Sequence, residues 1–152
     1  MSSKFVYVTY IKTTPEKLWQ ALTTPEFQRQ YWYGYQQETD YKKGSSWKLI
    51  SSDGRVADSG EVVESDPPRR LVLTWRHQLR PELTAEGDAK CTYEIEEVAS
   101  TVKLTVTHEI AKEQSKLIEA VSGGWPRILS SLKSFLETGA SLPEGSTLRK
   151  AS

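Results

Sequence analysis

The sequence contains a single cysteine, no excess of charge of either sign and no long apolar run. One cysteine excludes an internal disulfide and fits a reducing compartment. The 20 Lys and Arg residues balance 20 Asp and Glu residues, so no net positive charge attracts nucleic acid or an anionic membrane. No stretch is apolar enough for a signal peptide or a membrane span. These features predict a soluble cytoplasmic protein that binds neither nucleic acid nor membrane.

Aromatic residues, in contrast, are plentiful, with 5 Trp and 7 Tyr among 152 residues. A chain of this length forms one ordinary domain with a single core. Residues 1–139 carry all of the apolar periodicity. Residues 140–152 show none, and we expect a flexible C-terminal tail there.

The stretch from residue 112 to Gly139 has the pattern of one amphipathic helix. Its apolar residues recur every three or four positions, at Leu117, Val121, Trp125, Ile128, Leu132 and Phe135. Gly139 is a natural stop, because glycine adopts the left-handed conformation easily. Pro126 must kink the helix or begin a new one. The apolar stripe keeps its phase across Pro126, which favours one long kinked helix.

The N-terminal third predicts a strand followed by two short helices. Residues 4–12 are rich in β-branched and aromatic side chains, as in a strand. Thr14 and Thr24 each precede a proline and an acidic residue, a typical helix start. The second of these helices is expected to end near Gln30.

From residue 46 onwards the pattern is that of antiparallel strands joined by tight turns. The turns lie at Asp53-Gly54, at residues 66–69 and at Ala99-Ser100. Centring each turn predicts the cross-strand pairs Ser51–Val56, Leu49–Asp58, Trp47–Gly60, Glu64–Leu71, Val62–Leu73, Gly60–Trp75, Glu97–Val102, Ile95–Leu104, Tyr93–Val106 and Cys91–His108. Paired residues share a face, so one face of the sheet is apolar and aromatic.

The predicted order of elements is one strand, two short helices, six strands and one long helix. The apolar face of the sheet must be buried against another element. Only the C-terminal helix is long enough to cover that face. The sequence therefore predicts an α+β fold of the helix-grip type. In this fold a curved antiparallel sheet wraps around a long C-terminal helix.

Four segments carry a resemblance to a known family: TPEKLWQALTTPE at residues 14–26, YWYG at 31–34, GEVVESDPPRRLVLTW at 60–75 and GGWPRILSSLKSFLE at 123–137. The chain resembles the START-like, or Bet v 1-like, superfamily (SRPBCC) over residues 4–139. Its pattern is most similar to the branch named after the C-terminal domain of activators of the ninety-kilodalton heat-shock chaperone ATPase. The resemblance implies a hydrophobic cavity between sheet and helix. The eukaryotic activators also carry a separate N-terminal domain that this sequence lacks, so we expect no chaperone activation by this chain alone.

The residues themselves also indicate a cavity. Gly60 is expected to face inward between Trp47 and Trp75, and Gly123-Gly124 to lie above the sheet, where small residues leave space. The expected ligand contacts are Trp32, Trp47, Gly60, Leu73, Trp75, Tyr93, Val106, Gly124, Trp125 and Ile128. Tyr93 and the indole N–H groups are candidates to orient a ligand. In the alternative interpretation, the aromatic side chains simply fill the core.

Titratable residues on the inward face suggest two further possibilities. His77, Cys91 and His108 are expected near one rim of the sheet, but their spacing matches no metal motif, and we expect Cys91 to be buried. The alternation along the strand places Asp58 and Glu64 on the inward face of the sheet. We nevertheless expect both to lie at strand ends, facing solvent.

The sequence predicts a non-enzymatic domain that binds a small hydrophobic, aromatic or lipid-like molecule in this cavity, without metal or cofactor. One alternative is a chaperone co-factor or protein-interaction domain. Another is an enzyme of cyclase or hydrolase type, which would need a titratable group inside the pocket. A monomer and a homodimer are both compatible with the sequence.

Overall fold

The computed structural model of the protein describes residues 2–143. Seven strands form one antiparallel sheet in the order β1-β7-β6-β5-β4-β3-β2. The strands are β1 (Ser3–Ile11), β2 (Gln36–Glu38), β3 (Ser46–Ile50), β4 (Val56–Asp66), β5 (Arg70–His77), β6 (Ala89–Val98) and β7 (Thr101–Ile110), and the helices are α1 (Pro15–Thr23), α2 (Pro25–Tyr31), α3 (Pro81–Thr84) and α4 (Lys116–Thr138). The α+β helix-grip fold predicted from the sequence is confirmed.

The two short helices begin where the Thr-Pro signals predicted. Thr14 caps α1, and its hydroxyl accepts a hydrogen bond from the Lys17 amide. Thr24 precedes α2 with extended backbone but makes no side-chain cap. The segment between β5 and β6 contains the one-turn helix α3, and Leu83 of this helix is buried.

Helix α4 continues through Pro126 as one element, as the phase of its apolar stripe predicted. It begins later than expected, at Lys116, because Ser115 is the N-cap and its hydroxyl accepts a hydrogen bond from the Ile118 amide. It ends at Gly139, whose φ of 86° is left-handed. The helix packs mainly against β1 and also touches β7, α1 and α2. Its N-terminal half faces β3, β4 and β5 across a pocket described below.

The hairpin register agrees with the sequence except beside two bulges in β4. All four predicted β6–β7 pairs, from Cys91–His108 to Glu97–Val102, are confirmed. The pairs Leu49–Asp58, Trp47–Gly60 and Val62–Leu73 are confirmed as well.

Two predicted pairs near the hairpin ends are wrong. Val56 pairs with Ile50 and not with Ser51, since the register shifts beyond Leu49. Glu64 pairs with Val72 and not with Leu71, since the register shifts again beyond Val62. Each bulge places one extra residue on β4, which counting outward from a turn cannot anticipate.

The end of the described chain returns to α4. The Ser134 hydroxyl donates a hydrogen bond to the Ala140 carbonyl, and the Leu142 amide donates one to the Ser131 hydroxyl. The division into a domain and a flexible tail stays a prediction, since residues 144–152 of that tail lie outside the described residues. None of the helices within residues 2–143 combines the length and hydropathy needed to cross a bilayer.

Candidate functional site, a pocket beneath the C-terminal helix

An aromatic cluster around Trp75 occupies the centre of the molecule. The Trp75 ring centroid lies 4.5 Å from that of Trp47, 5.0 Å from His108 and 5.9 Å from Trp125. Trp125 in turn contacts Tyr93 edge-on at 5.9 Å. Rings at these distances are in direct contact, so most of the cluster fills the core.

Three indole N–H groups of this cluster already have acceptors. Trp47 donates to the Gln37 side-chain oxygen at 3.0 Å, and Trp75 donates to Asp58 Oδ1 at 2.9 Å. Trp125 donates to His108 Nδ1 at 3.1 Å. These donors are therefore not available to orient a ligand, contrary to the expectation from sequence.

A pocket of about 70 Å³, partly open to solvent, remains between the N-terminal half of α4 and strands β3, β4 and β5. Leu83 of α3 also lines it, and Trp32, which follows α2, contributes an aromatic wall. The lining residues are Trp32, Tyr35, Leu49, Ala57, Asp58, Trp75, His77, Leu83, Leu117, Ala120, Val121, Gly124, Trp125 and Ile128. Most of these are apolar, as in the usual small-molecule site.

The structure brings half of the expected ligand contacts to this pocket. Those that line it are Trp32, Trp75, Gly124, Trp125 and Ile128. The others, Trp47, Gly60, Leu73, Tyr93 and Val106, lie outside its lining. Trp47 is fully buried with its ring tilted against that of Trp75, while Leu73, Tyr93 and Val106 belong to the packed core.

Gly60 does not create space between Trp47 and Trp75. A Cβ atom at Gly60 would lie 2.0 Å from the Thr74 carbonyl oxygen and 2.6 Å from its carbon. The Thr74 hydroxyl also accepts a hydrogen bond from the Glu61 amide, which draws β5 towards β4 at this point. The missing side chain at Gly60 therefore permits close approach of two backbones.

The expected ligand contacts included Gly124, Trp125 and Ile128 from α4 but left out Leu117, Ala120 and Val121, which also line the pocket. Leu117, Ala120, Val121, Gly124 and Ile128 recur at helical spacing, which places them on one face. The sequence predicted this apolar stripe of α4. It did not predict which part of the stripe packs against the sheet and which part lines the pocket. Leu83 and Tyr35 also line the pocket and were not among the expected ligand contacts.

Asp58 is buried, not at a solvent-facing strand end, so that expectation was wrong. Its exposed fraction is 6%, the same as that of His77 opposite it on β5. Asp58 Oδ1 accepts the Trp75 indole hydrogen bond and lies 3.0 Å from His77 Nδ1. Two donors around one oxygen allow a carboxylate to be buried among apolar side chains. Glu64, in contrast, is exposed, as expected.

The three residues expected near one rim do not form a common site. Cys91 faces His108 across β6 and β7, and both are fully buried, whereas His77 contacts Asp58. Burial raises the pKa of the Cys91 thiol and lowers that of His108 to about 3. Within residues 2–143 no three His, Cys, Asp or Glu side chains come together as metal ligands would. Asp58 and His77 nevertheless place titratable groups inside the pocket, which is the feature that an enzyme would need.

Comparisons with known proteins agree with the fold. The family model described as activator of Hsp90 ATPase homolog 1-like protein matches residues 12–137. No curated protein matches the chain. Protein MLL2253 from Mesorhizobium loti has a TM-score of 0.76 at 21% identity, over 88% of this chain and 96% of that one.

Two further solved structures share the fold at similar identity. The Aha1 dimer from Colwellia psychrerythraea has a TM-score of 0.72 at 22% identity, over 90% of this chain and 98% of that one. An HSP90 activator from Plasmodium falciparum has a TM-score of 0.72 at 22% identity, over 88% and 95%. At these identities the likeness is one of fold.

Proposed function

The chain belongs to the family of activator of Hsp90 ATPase homolog 1-like proteins, and from that premise we propose that it binds a small apolar molecule in the pocket beneath α4. The pocket itself carries this proposal. It is apolar, bounded by three tryptophans and the helix, and holds a few polar groups at one wall. Pockets of this composition are the usual sites for small molecules.

The size of the pocket limits what can enter. Its volume of about 70 Å³ is small, since an enclosed cavity of about 150 Å³ admits benzene. A single aromatic ring or a short alkyl chain fits only because the pocket is partly open. A lipid-like ligand would require α4 or α3 to move outward. We therefore assign compact single-ring molecules as the ligand class in this state of the protein.

Two adjacent glycines of α4 provide the test. A Cβ atom at Gly123 or at Gly124 would meet no atom within 4 Å beyond the adjacent residues and backbone of α4 itself, but only Gly124 lines the pocket. Gly123→Leu and Gly124→Leu should each stabilise the helix by roughly 0.5–1 kcal/mol, because glycine is unfavourable inside a helix. Only Gly124→Leu places its side chain in the pocket.

The measurement is a titration of the ¹⁵N-labelled full chain with toluene, followed at the tryptophan indole N–H signals in NMR spectra. Wild type and Gly123→Leu should bind toluene alike, and Gly124→Leu should bind at least tenfold more weakly. Absence of binding to wild type, or equal binding by both variants, would contradict the proposal.

A second candidate function is interaction with a protein, and a row of exposed apolar side chains on β1 favours it. Val6, Val8 and Tyr10 are exposed by 49%, 43% and 49% and share the outward face of this edge strand. Exposed apolar patches are typical of protein contact sites. The family description, and the HSP90 activator from Plasmodium falciparum with the same fold, make a chaperone the natural first partner to test.

A further inference from the structure

One wall of the pocket is polar, and it is built by a cross-strand pair. Asp58 of β4 and His77 of β5 face each other in the sheet register. Each is only 6% exposed, and both line the pocket. Asp58 Oδ1 lies 2.9 Å from Trp75 Nε1 and 3.0 Å from His77 Nδ1. The carboxylate is thus held between an indole and an imidazole.

This arrangement determines which nitrogen of His77 carries its proton. An ionised carboxylate only accepts hydrogen bonds, so Nδ1 of His77 must donate to Asp58. In the neutral imidazole Nε2 then presents a lone pair. Nε2 is buried, and no side chain or backbone group within residues 2–143 bonds to it. A buried acceptor without a partner is destabilising, and a bound donor group would remove that cost.

The indole groups nearest to this wall cannot act in place of His77. The N–H groups of Trp75 and Trp125 are already bonded to Asp58 and to His108. Their rings contribute apolar surface to the pocket instead. A ligand thus meets apolar surface over most of its area, beside a wall in which the Nε2 acceptor of His77 is buried.

We propose that the pocket selects compact aromatic molecules that carry a hydroxyl group, and that this hydroxyl donates its hydrogen bond to His77 Nε2. Asp58 is a positioning residue in this recognition, because it holds the imidazole in the required tautomer. The inference rests on the proposed function, since it concerns the same pocket, and adds the polar group that the ligand must bear.

Phenol and toluene form a suitable pair of probes, since they share a ring and differ by a hydroxyl in place of a methyl group. An entirely apolar pocket would prefer toluene, because phenol must give up its hydrogen bonds to water. We expect the full chain to bind phenol at least tenfold more tightly than toluene. The indole N–H signals of the ¹⁵N-labelled protein report both titrations.

His77→Asn tests the assigned nitrogen. An asparagine amide can replace Nδ1–H as the donor to Asp58, but it has no group at the position of Nε2. The preference for phenol should disappear in His77→Asn while toluene binding stays within about twofold of wild type. His77→Phe, which keeps a ring but neither nitrogen, serves as a second variant with the same expected loss. Gln78→Asn, at the exposed neighbouring position, is the matched control and should keep the preference.

The possible outcomes distinguish hydroxyl selectivity from the binding of apolar molecules in the pocket. Binding of toluene as tight as that of phenol in wild type would overturn the hydroxyl selectivity and leave apolar binding intact. A phenol preference that survives in both His77 variants would also overturn it, because another group would then receive the hydroxyl. Binding of neither probe would overturn both the proposed function and this inference.

Discussion

His108 shows how burial controls the chemistry of a single residue. Its side chain is fully buried, and its Nδ1 accepts the indole hydrogen bond of Trp125. The imidazole must therefore be neutral, with its proton on Nε2. Burial lowers the pKa of His108 to about 3, from an ordinary value of 6.5.

This burial predicts how stability depends on pH. Between pH 6.5 and 3 the unfolded chain binds a proton at His108 and the folded protein does not. The free energy of unfolding should therefore fall as the pH decreases through this range, by about 1.4 kcal/mol per pH unit from this residue once the pH is well below 6.5. Urea denaturation at pH 7.0, 6.0 and 5.0 measures the slope.

His108→Gln is the comparison variant, because a glutamine oxygen can still accept from Trp125 and does not titrate. Its stability should fall less steeply over the same pH range. Equal slopes for the two proteins would show that His108 is protonated in the fold.

At the scale of elements, the start of α4 is tied to the segment after α3 by one carboxylate. Glu86 accepts hydrogen bonds from the Ser115 hydroxyl at 2.5 Å and from the Lys116 amide at 2.9 Å. Partial burial alone would raise the pKa of Glu86, but hydrogen bonds from Ser115, Lys116 and Leu117 outweigh it and lower that pKa. The same segment carries Leu83, which lines the pocket, so this contact joins α4 to a segment of the pocket wall.

Glu86→Ala should remove a helix cap and lower the free energy of unfolding by about 0.5–2 kcal/mol at pH 7. The lowered pKa means that this stabilisation is present above about pH 4.5, the ordinary value for a glutamate, and is lost as the pH falls through the pKa in the folded state. The difference between wild type and variant should therefore shrink in acid. Urea denaturation at pH 7 and at pH 3.5 measures it.

Glu82→Ala is a matched control from the same segment. Glu82 is exposed and pairs with Arg80 at the surface, so its loss should change stability by less than about 0.5 kcal/mol. An effect of Glu86→Ala no larger than that of Glu82→Ala would show that the cap is not formed in solution.

For the whole molecule, the pocket and the exposed row on β1 lie on opposite faces of the sheet, and they support different functions. The pocket occupies the inner face beneath α4, whereas Val6, Val8 and Tyr10 point outward. The free edge of β1 is partly closed, because Lys133 donates a hydrogen bond to the Tyr10 carbonyl and Glu137 accepts one from the Lys12 amide. The side chains of β1, more than its backbone, are thus open to a partner.

We expect the full chain to leave the ATPase rate of the ninety-kilodalton chaperone unchanged at micromolar concentration, since the binding proposal assigns its function to the pocket. Steady-state ATP turnover measures this directly. A saturable stimulation that Tyr10→Lys abolishes and Gly124→Leu leaves intact would instead assign the function to β1.

Local signals were sufficient for most of the elements and for most of the register. The Thr-Pro starts of α1 and α2, the apolar stripe of α4 and the turn at Ala99-Ser100 each depend on residues close in sequence. These helices and this turn could therefore be predicted from the sequence alone. The predicted strands give the sheet one apolar face, and a long helix must bury that face. This requirement predicted the helix-grip fold.

The position of the pocket was decided only by tertiary packing. Gly60 and Gly124 look alike as inward glycines in the sequence, but Gly60 meets the Thr74 backbone and Gly124 faces open space. Asp58 becomes buried because Trp75 and His77, from another strand, supply its hydrogen bonds. Whether a small or polar residue leaves space or finds a partner depends on atoms contributed by distant segments, and the sequence pattern does not specify their positions.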